Sequence, residues 1–200
     1  MEYINSIKGS RRNIAGSLFI LLLTIAYLFV HLLSLDWFPF VHSDEVWLAT
    51  LSRQYIETNP KVTESFFVVT PRYPHAIKII YHYIQGLFVF FNWSVFSARI
   101  PSLISGFIFL SSLFVILFRQ CKKLYLSFFV LVIIAVNPAF FYISHLARQE
   151  MMIAAVGFLS LAIMYRTSQK MEGLFYYKVI LAGGLVLGAG FLIHPNVVIM

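Results

Sequence analysis

Five apolar runs, most of them as long as a bilayer is thick, constrain this chain more than any other feature. They lie at 14–35, 101–118, 124–141, 151–165 and 179–200. A helix needs about 20 apolar residues to cross the hydrocarbon core, and the shortest run, 151–165, is expected to extend upstream. Hydrophobic residues make up 60% of the 200 positions and charged residues 12%, whereas soluble domains have about 45–50% and 25%. The pattern predicts an all-α polytopic membrane helix bundle, a single transmembrane domain over 1–200, and excludes a soluble enzyme.

Basic residues orient these runs. Nine of the 15 Lys and Arg residues form three clusters: Lys8, Arg11 and Arg12; Arg119, Lys122 and Lys123; and Arg166, Lys170 and Lys178. With five spans and a cytoplasmic N-terminus, all three clusters lie inside, as the positive-inside rule requires. Residues 36–97 then form a long outer loop, in which 75–91 is an interfacial amphipathic helix rather than a sixth span.

This topology carries further expectations. The protein is a multi-pass protein of the cell membrane, its active loop faces outside, and membrane lipids are among its partners. Because the basic residues flank apolar runs, we expect no nucleic-acid partner. Cys121, beside a basic cluster, is expected in the reducing cytosol. The sequence stops within an apolar run at Met200, so we expect a fragment of a longer protein.

The outer loop opens with two adjacent acids, Asp44 and Glu45. Ser43 is expected to N-cap a helix that starts there, and Asn59-Pro60 to end it. An apolar stripe at helical spacing predicts that this helix lies on the membrane; it is formed by Trp47, Leu48, Leu51 and Tyr55. The two acids are either functional groups near the exit of the first span or simply favourable first-turn residues, and the pattern alone does not separate these interpretations.

Two further sets of polar residues lie close to the predicted membrane surface. The first follows the prolines of the outer loop and comprises Arg72, Tyr73, His75 and Lys78. Its cations suit phosphate oxygens, although ordinary anchoring to lipid headgroups explains it equally simply. The second stands at the starts of the second and fourth spans and comprises Arg99, Arg148 and Glu150. These side chains either line an outer cavity or snorkel to the surface.

Taken in order, these residues resemble the N-terminal part of the GT-C integral-membrane glycosyltransferases, the group of the dolichyl-phosphate-mannose–protein mannosyltransferases and the lipid A aminoarabinose transferases. The resemblance covers nearly all of the 200 residues, which is half or less of such an enzyme. Its motifs are Asp44-Glu45, Tyr73-Pro74-His75, Phe96-Ser97-Ala98-Arg99-Ile100-Pro101-Ser102, Asn137-Pro138, Ala147-Arg148-Gln149-Glu150, Ala182-Gly183-Gly184 and Phe191-Leu192-Ile193-His194-Pro195. Many members have Pro-Pro where this chain has Pro74-His75, and often a Lys where His194 stands.

The resemblance implies a glycosyltransferase that moves a sugar from a polyprenyl-phosphate donor to an acceptor hydroxyl at the outer face. Asp44 would be catalytic with support from Glu45, and a divalent metal is one option for the leaving phosphate. The implied substrate-binding residues are Arg72, Tyr73, His75, Lys78, Arg99, Arg148 and Glu150. A non-enzymatic lipid-sugar carrier or transporter subunit is the alternative, and a structural assembly protein is a third hypothesis. The sugar, the acceptor and the metal stay open.

Overall fold

A computed structural model describes residues 22, 24–57, 78–168 and 174–194. In these segments the chain forms eight α-helices and no β-strand, which confirms the all-α prediction. The helices are α1 Thr24–Ser34, α2 Ser43–Glu57, α3 Ile79–Phe91, α4 Val95–Cys121, α5 Leu124–Ala135, α6 Pro138–His145, α7 Glu150–Ser168 and α8 Leu174–Gly190.

Within the described segments, α4 is the one continuous helix that is both long and apolar enough to cross a membrane. Its 27 residues correspond to about 40 Å at about 1.5 Å per residue. The predicted span at 124–141 is instead two helices, α5 and α6, which meet at a bend of 65° and pass the same test only as a pair. Membrane association therefore has support from α4, whereas the polytopic arrangement stays a prediction.

The bend lies at Asn137-Pro138, where the sequence predicts a break. The Asn137 side chain accepts a hydrogen bond from the amide of Ala139 at 2.9 Å, and Pro138 occupies the first turn of α6. Proline is compatible with a first turn but removes a hydrogen bond from a helix interior. The chain therefore has to restart the helix here rather than continue it.

Two predicted helix ends need correction. The run at 179–200 is not helical throughout, because α8 ends at Gly190 and a turn follows over 191–193. Pro195 disfavours helical backbone at His194, the residue before it, which explains the early end. At the start of α2 the cap is not Ser43: the Glu45 carboxylate accepts the His42 amide at 2.9 Å, as in a capping box shifted by one residue.

Close packing positions the helices α2 and α3 against each other. At Gly86 of α3, an added Cβ would collide with the Ser52 carbonyl of α2, so glycine permits this approach. A buried cluster then joins α2, α3, α7 and the turn after α8; its members are Leu48, Tyr81, Met152, Ile153 and Ile193. The start of α2, the start of α3 and the segment 146–149 before α7 consequently meet in one region, where the charged side chains collect.

Candidate functional site

A buried ion pair between Glu45 of α2 and Arg99 of α4 is the centre of this region. Arg99 is fully buried and Glu45 is nearly so. The pair is bidentate: Arg99 Nε donates to Glu45 Oε1 and Nη2 donates to Oε2, both at 2.9 Å. This fork geometry is the strong form of the carboxylate–guanidinium interaction. It joins α2 to α4 through two residues that are 54 positions apart in the sequence.

Both residues of the pair make further hydrogen bonds. Arg99 donates to three backbone oxygens after α1, those of Leu35, Phe38 and Pro39 at 2.9, 3.1 and 2.9 Å. These bonds use all five N–H groups of a guanidinium. Glu45 also accepts the amide of Ala147 at 2.6 Å. Arg99 thus has no donor left for a phosphate, and we assign it to positioning.

Asp44 points away from this pair, as adjacent residues on a helix must. Its side chain is 47% exposed, and Oδ2 lies 3.8 Å from Nη1 of Arg148. The same guanidinium contacts Glu150 through Nη2 at 2.9 Å. One arginine is therefore shared between two carboxylates. Exposed ion pairs of this kind contribute little to stability, and their charges remain accessible to a ligand.

Lys78 is the fourth charged residue of this cluster and the one that is buried, at 4% exposure. Loss of hydration on burial lowers the pKa of Lys78 to about 8; nearby Glu150 opposes this shift and Arg148 adds to it. Within the described residues no carboxylate lies within 4 Å of its ammonium group. A buried cation without a close counter-charge is costly, and an incoming anion would relieve that cost.

An apolar groove of about 310 Å³ adjoins the cluster. It lies between α3, α4, α7 and α8 and is lined by Ile80, Ile84, Pro101, Ile104, Ser105, Ile108, Met152, Ala155, Val156, Leu159, Val186, Ala189 and Ile193. The lining begins at Ile80 and Met152, two residues beyond Lys78 and Glu150. The site thus combines a charged cluster with an apolar groove. This combination suits an amphiphile that has an anionic head.

The structure brings together four of the predicted site residues, Asp44, Lys78, Arg148 and Glu150. The other two that it describes, Glu45 and Arg99, lie beside these four, but they are paired with each other. Arg72, Tyr73 and His75 lie outside the described residues. Sequence reasoning missed the polar residues that hold the segment 146–149; the available signal was the occurrence of polar side chains inside apolar helices, at Tyr81, Gln85 and Ser102.

A divalent metal does not fit the donors seen here. In the described part of the chain no three His, Cys, Asp or Glu side chains are grouped so that they could hold an ion. Asp44 and Glu150 are the nearest carboxylates, and a metal between them would have to displace Arg148. The positive charges beside these carboxylates are those of Arg148 and Lys78.

Comparison with protein-family models, with curated proteins and with solved structures finds no match for this chain.

The two neighbouring acids are expected to contribute very differently to the free energy of unfolding. Replacing Glu45 with Gln leaves the Arg99 charge buried without a counter-charge, and removal of one partner of a buried pair typically costs about 3–5 kcal/mol. Asp44→Asn, in contrast, is expected to change the free energy of unfolding by less than about 1 kcal/mol. Thermal unfolding of the purified protein, followed by circular dichroism, measures both. Equal losses for the two variants would contradict this assignment.

Proposed function

We propose that this protein is a membrane glycosyltransferase of the GT-C type, which transfers a sugar from a polyprenyl-phosphate donor to an acceptor hydroxyl. One observation carries the proposal: an exposed carboxylate, Asp44, lies 3.8 Å from Arg148, whose charge also acts on the buried Lys78, and the lining of an apolar groove begins two residues after Lys78. The reaction needs these three parts, a base for the acceptor, positive charge for the leaving phosphate and an apolar seat for the lipid chain.

In the proposed step, the acceptor hydroxyl loses its proton to Asp44 while its oxygen attacks the anomeric carbon of the sugar. The bond between that carbon and the phosphate oxygen breaks, and its electron pair leaves with the polyprenyl phosphate. The products are the glycosylated acceptor, the lipid phosphate and protonated Asp44, which releases its proton to water. General-base catalysis of this kind typically contributes about 10²–10⁴-fold in rate.

The cations stabilise the phosphate. Arg148 is 33% exposed and therefore accessible, and its fork suits two phosphate oxygens. Lys78 adds a point charge from the buried side. Glu150, at 2.9 Å from Arg148, orients the guanidinium. Charge placed in advance where negative charge develops is the largest single source of rate enhancement in many enzymes.

Other residues keep their proposed roles in a weaker form. Glu45 and Arg99 would support the site by positioning Asp44 and Arg148 and not by contact with substrate. Arg72, Tyr73 and His75 remain proposed substrate-binding residues that precede Lys78 in the sequence. The prenyl chain would occupy the apolar groove, with its phosphate at the Lys78 end.

The proposal includes a polytopic topology with a cytoplasmic N-terminus and the charged cluster at the outer face. Its support is the apolar character of the outward helix faces, with large exposed side chains on α5 and α8 such as Tyr125, Phe129, Leu181 and Leu185, since soluble proteins seldom expose such surfaces. A second support is the length of α4, which separates the cluster at its start from Arg119 and Cys121 at its end by about one bilayer thickness.

The catalytic role of Asp44 can be tested by Asp44→Asn, which keeps the size of the side chain but removes the base. Transfer from a panel of polyprenyl-phosphate hexoses and pentoses in membranes is expected to fall at least about 100-fold. Glu57→Gln is the matched control, because Glu57 is also on α2 but pairs with Arg53. Undiminished transfer in the Asp44 variant would refute the assignment. Lipid-sugar flux by wild-type protein without any sugar transfer would favour the carrier alternative.

The charge of Lys78 predicts a pH dependence. With a pKa of about 8, Lys78 is protonated below that pH and loses its charge above it, so affinity for farnesyl phosphate is expected to fall about tenfold between pH 7 and 10, the scale of one charged hydrogen bond. Lys78→Arg stays charged over this range and is expected to bind equally well throughout. Binding titrations at several pH values provide the measurement. The same decrease in affinity with pH in wild-type protein and in Lys78→Arg would contradict the role of Lys78.

The topology predicts the accessibility of Cys121. A membrane-impermeant maleimide applied to intact cells is expected to leave Cys121 unlabelled and to label it once the membrane is permeabilised, because this thiol lies at the inner end of α4. Cys121→Ser combined with Ser43→Cys moves the thiol to the proposed outer side and is expected to react in intact cells. Labelling of Cys121 in intact cells would contradict the proposed orientation and indicate the opposite one.

A further inference from the structure

We propose that Tyr81 of α3 is a positioning residue, whose hydroxyl holds the Ala147 peptide and thereby directs Arg148 at the phosphate of the donor. The proposal rests on the proposed function, because it concerns the same phosphate site. Its starting point is the segment 146–149, which is not helical and yet carries the most accessible cation of the cluster.

Buried side chains bind both backbone polar atoms of Ala147, the carbonyl oxygen and the amide. Tyr81 Oη donates to the Ala147 carbonyl at 2.8 Å, and Gln85 Nε2 approaches the same oxygen at 3.5 Å. On the other side, Glu45 Oε1 accepts the Ala147 amide at 2.6 Å. Both Tyr81 and Gln85 are 1% exposed, so water cannot replace these bonds at low cost.

The adjoining bonds extend this hold to the residue after Ala147. Ser102 Oγ donates to the Arg148 carbonyl at 3.0 Å, and the Arg148 amide donates to the Leu146 carbonyl at 2.8 Å. The backbone of a short irregular segment is therefore bonded to α2, α3 and α4. The position of the Arg148 guanidinium depends on its backbone and on the rotamers of a long side chain. A fixed backbone removes the first of these two sources of variation.

Tyr81 is the most suitable residue for a test, because the loss of one oxygen atom removes its 2.8 Å hydrogen bond to Ala147. Its hydroxyl bonds the Ala147 carbonyl and not the Arg148 guanidinium, so the proposed effect passes through the backbone. Gln85 is less suitable, since it also bonds the Ala98 carbonyl at 3.1 Å and the Ser52 hydroxyl at 2.7 Å, and its replacement would disturb three elements at once.

The experiment compares Tyr81→Phe with Tyr27→Phe in the full chain, reconstituted in lipid nanodiscs. The control removes a bond of the same kind, because Tyr27 Oη donates to the Ala135 carbonyl at 2.7 Å, away from the segment. Two ligands separate head from tail: farnesyl phosphate carries the phosphate, and farnesol has the same chain without it. Amide hydrogen exchange over 146–149 provides a readout that needs no ligand.

In Tyr81→Phe, farnesyl phosphate is expected to bind roughly fivefold more weakly, the scale of one hydrogen bond, while farnesol binding is unchanged and exchange at 146–149 accelerates. Tyr27→Phe is expected to change none of the three. Unchanged phosphate affinity and exchange in Tyr81→Phe would overturn the positioning role, and so would parallel losses for both ligands in both variants, which indicate general destabilisation.

The same measurements distinguish the two proposals. Wild-type protein that binds farnesol and farnesyl phosphate equally would contradict the proposed donor site, while the exchange arm would still test the hold on Ala147. Should Tyr81→Phe fail to fold, Ser102→Ala removes the next bond of the segment and is expected to give the same pattern of weaker phosphate binding with unchanged farnesol binding.

Discussion

The bidentate pair of Glu45 and Arg99 is the interaction on which the arrangement of this molecule depends. Two charges removed from water are stable only when the geometry is good and the remaining donors and acceptors are satisfied, and here five guanidinium bonds meet that condition. The acceptors come from the end of α1, the start of α2 and the turn between them. One side chain of α4 therefore joins the end of α1 and the start of α2 to the start of its own helix.

The pair also explains why the accessible charges lie where they do. Glu45 accepts the Ala147 amide, and Arg148 follows directly in the sequence, so the carboxylate that is buried sets the position of the cation that is exposed. Asp44 is placed by the same helix turn, because a buried Glu45 leaves its neighbour facing outward. Adjacent acids therefore contribute to a buried ion pair, Glu45–Arg99, and to an exposed one, Asp44–Arg148.

Local features of the fold could be predicted from the sequence, and long-range pairings could not. The apolar run of α4 and the break at Asn137-Pro138 follow from hydrophobic length and from the missing N–H of proline. The roles of the two acids could not be separated, because adjacent residues of a helix point in different directions and the sequence alone does not show which direction is buried. The partner of Arg99 was hidden for a related reason, since it lies 54 residues away and both acids of the motif were equally plausible as local first-turn residues. Lys78 was expected at the surface and is buried, close to charges that lie about 70 residues later in the sequence.

The burial of Lys78 has a thermodynamic consequence. Loss of hydration lowers the pKa of the Lys78 ammonium to about 8. Any anion that binds beside it favours the protonated form and raises that pKa again. Near neutral to mildly alkaline pH, anion binding and proton uptake are therefore linked, and each strengthens the other by the same factor. The affinity for an anion at Lys78 would in this way follow the acidity of the surrounding solution, without any change in the shape of the protein.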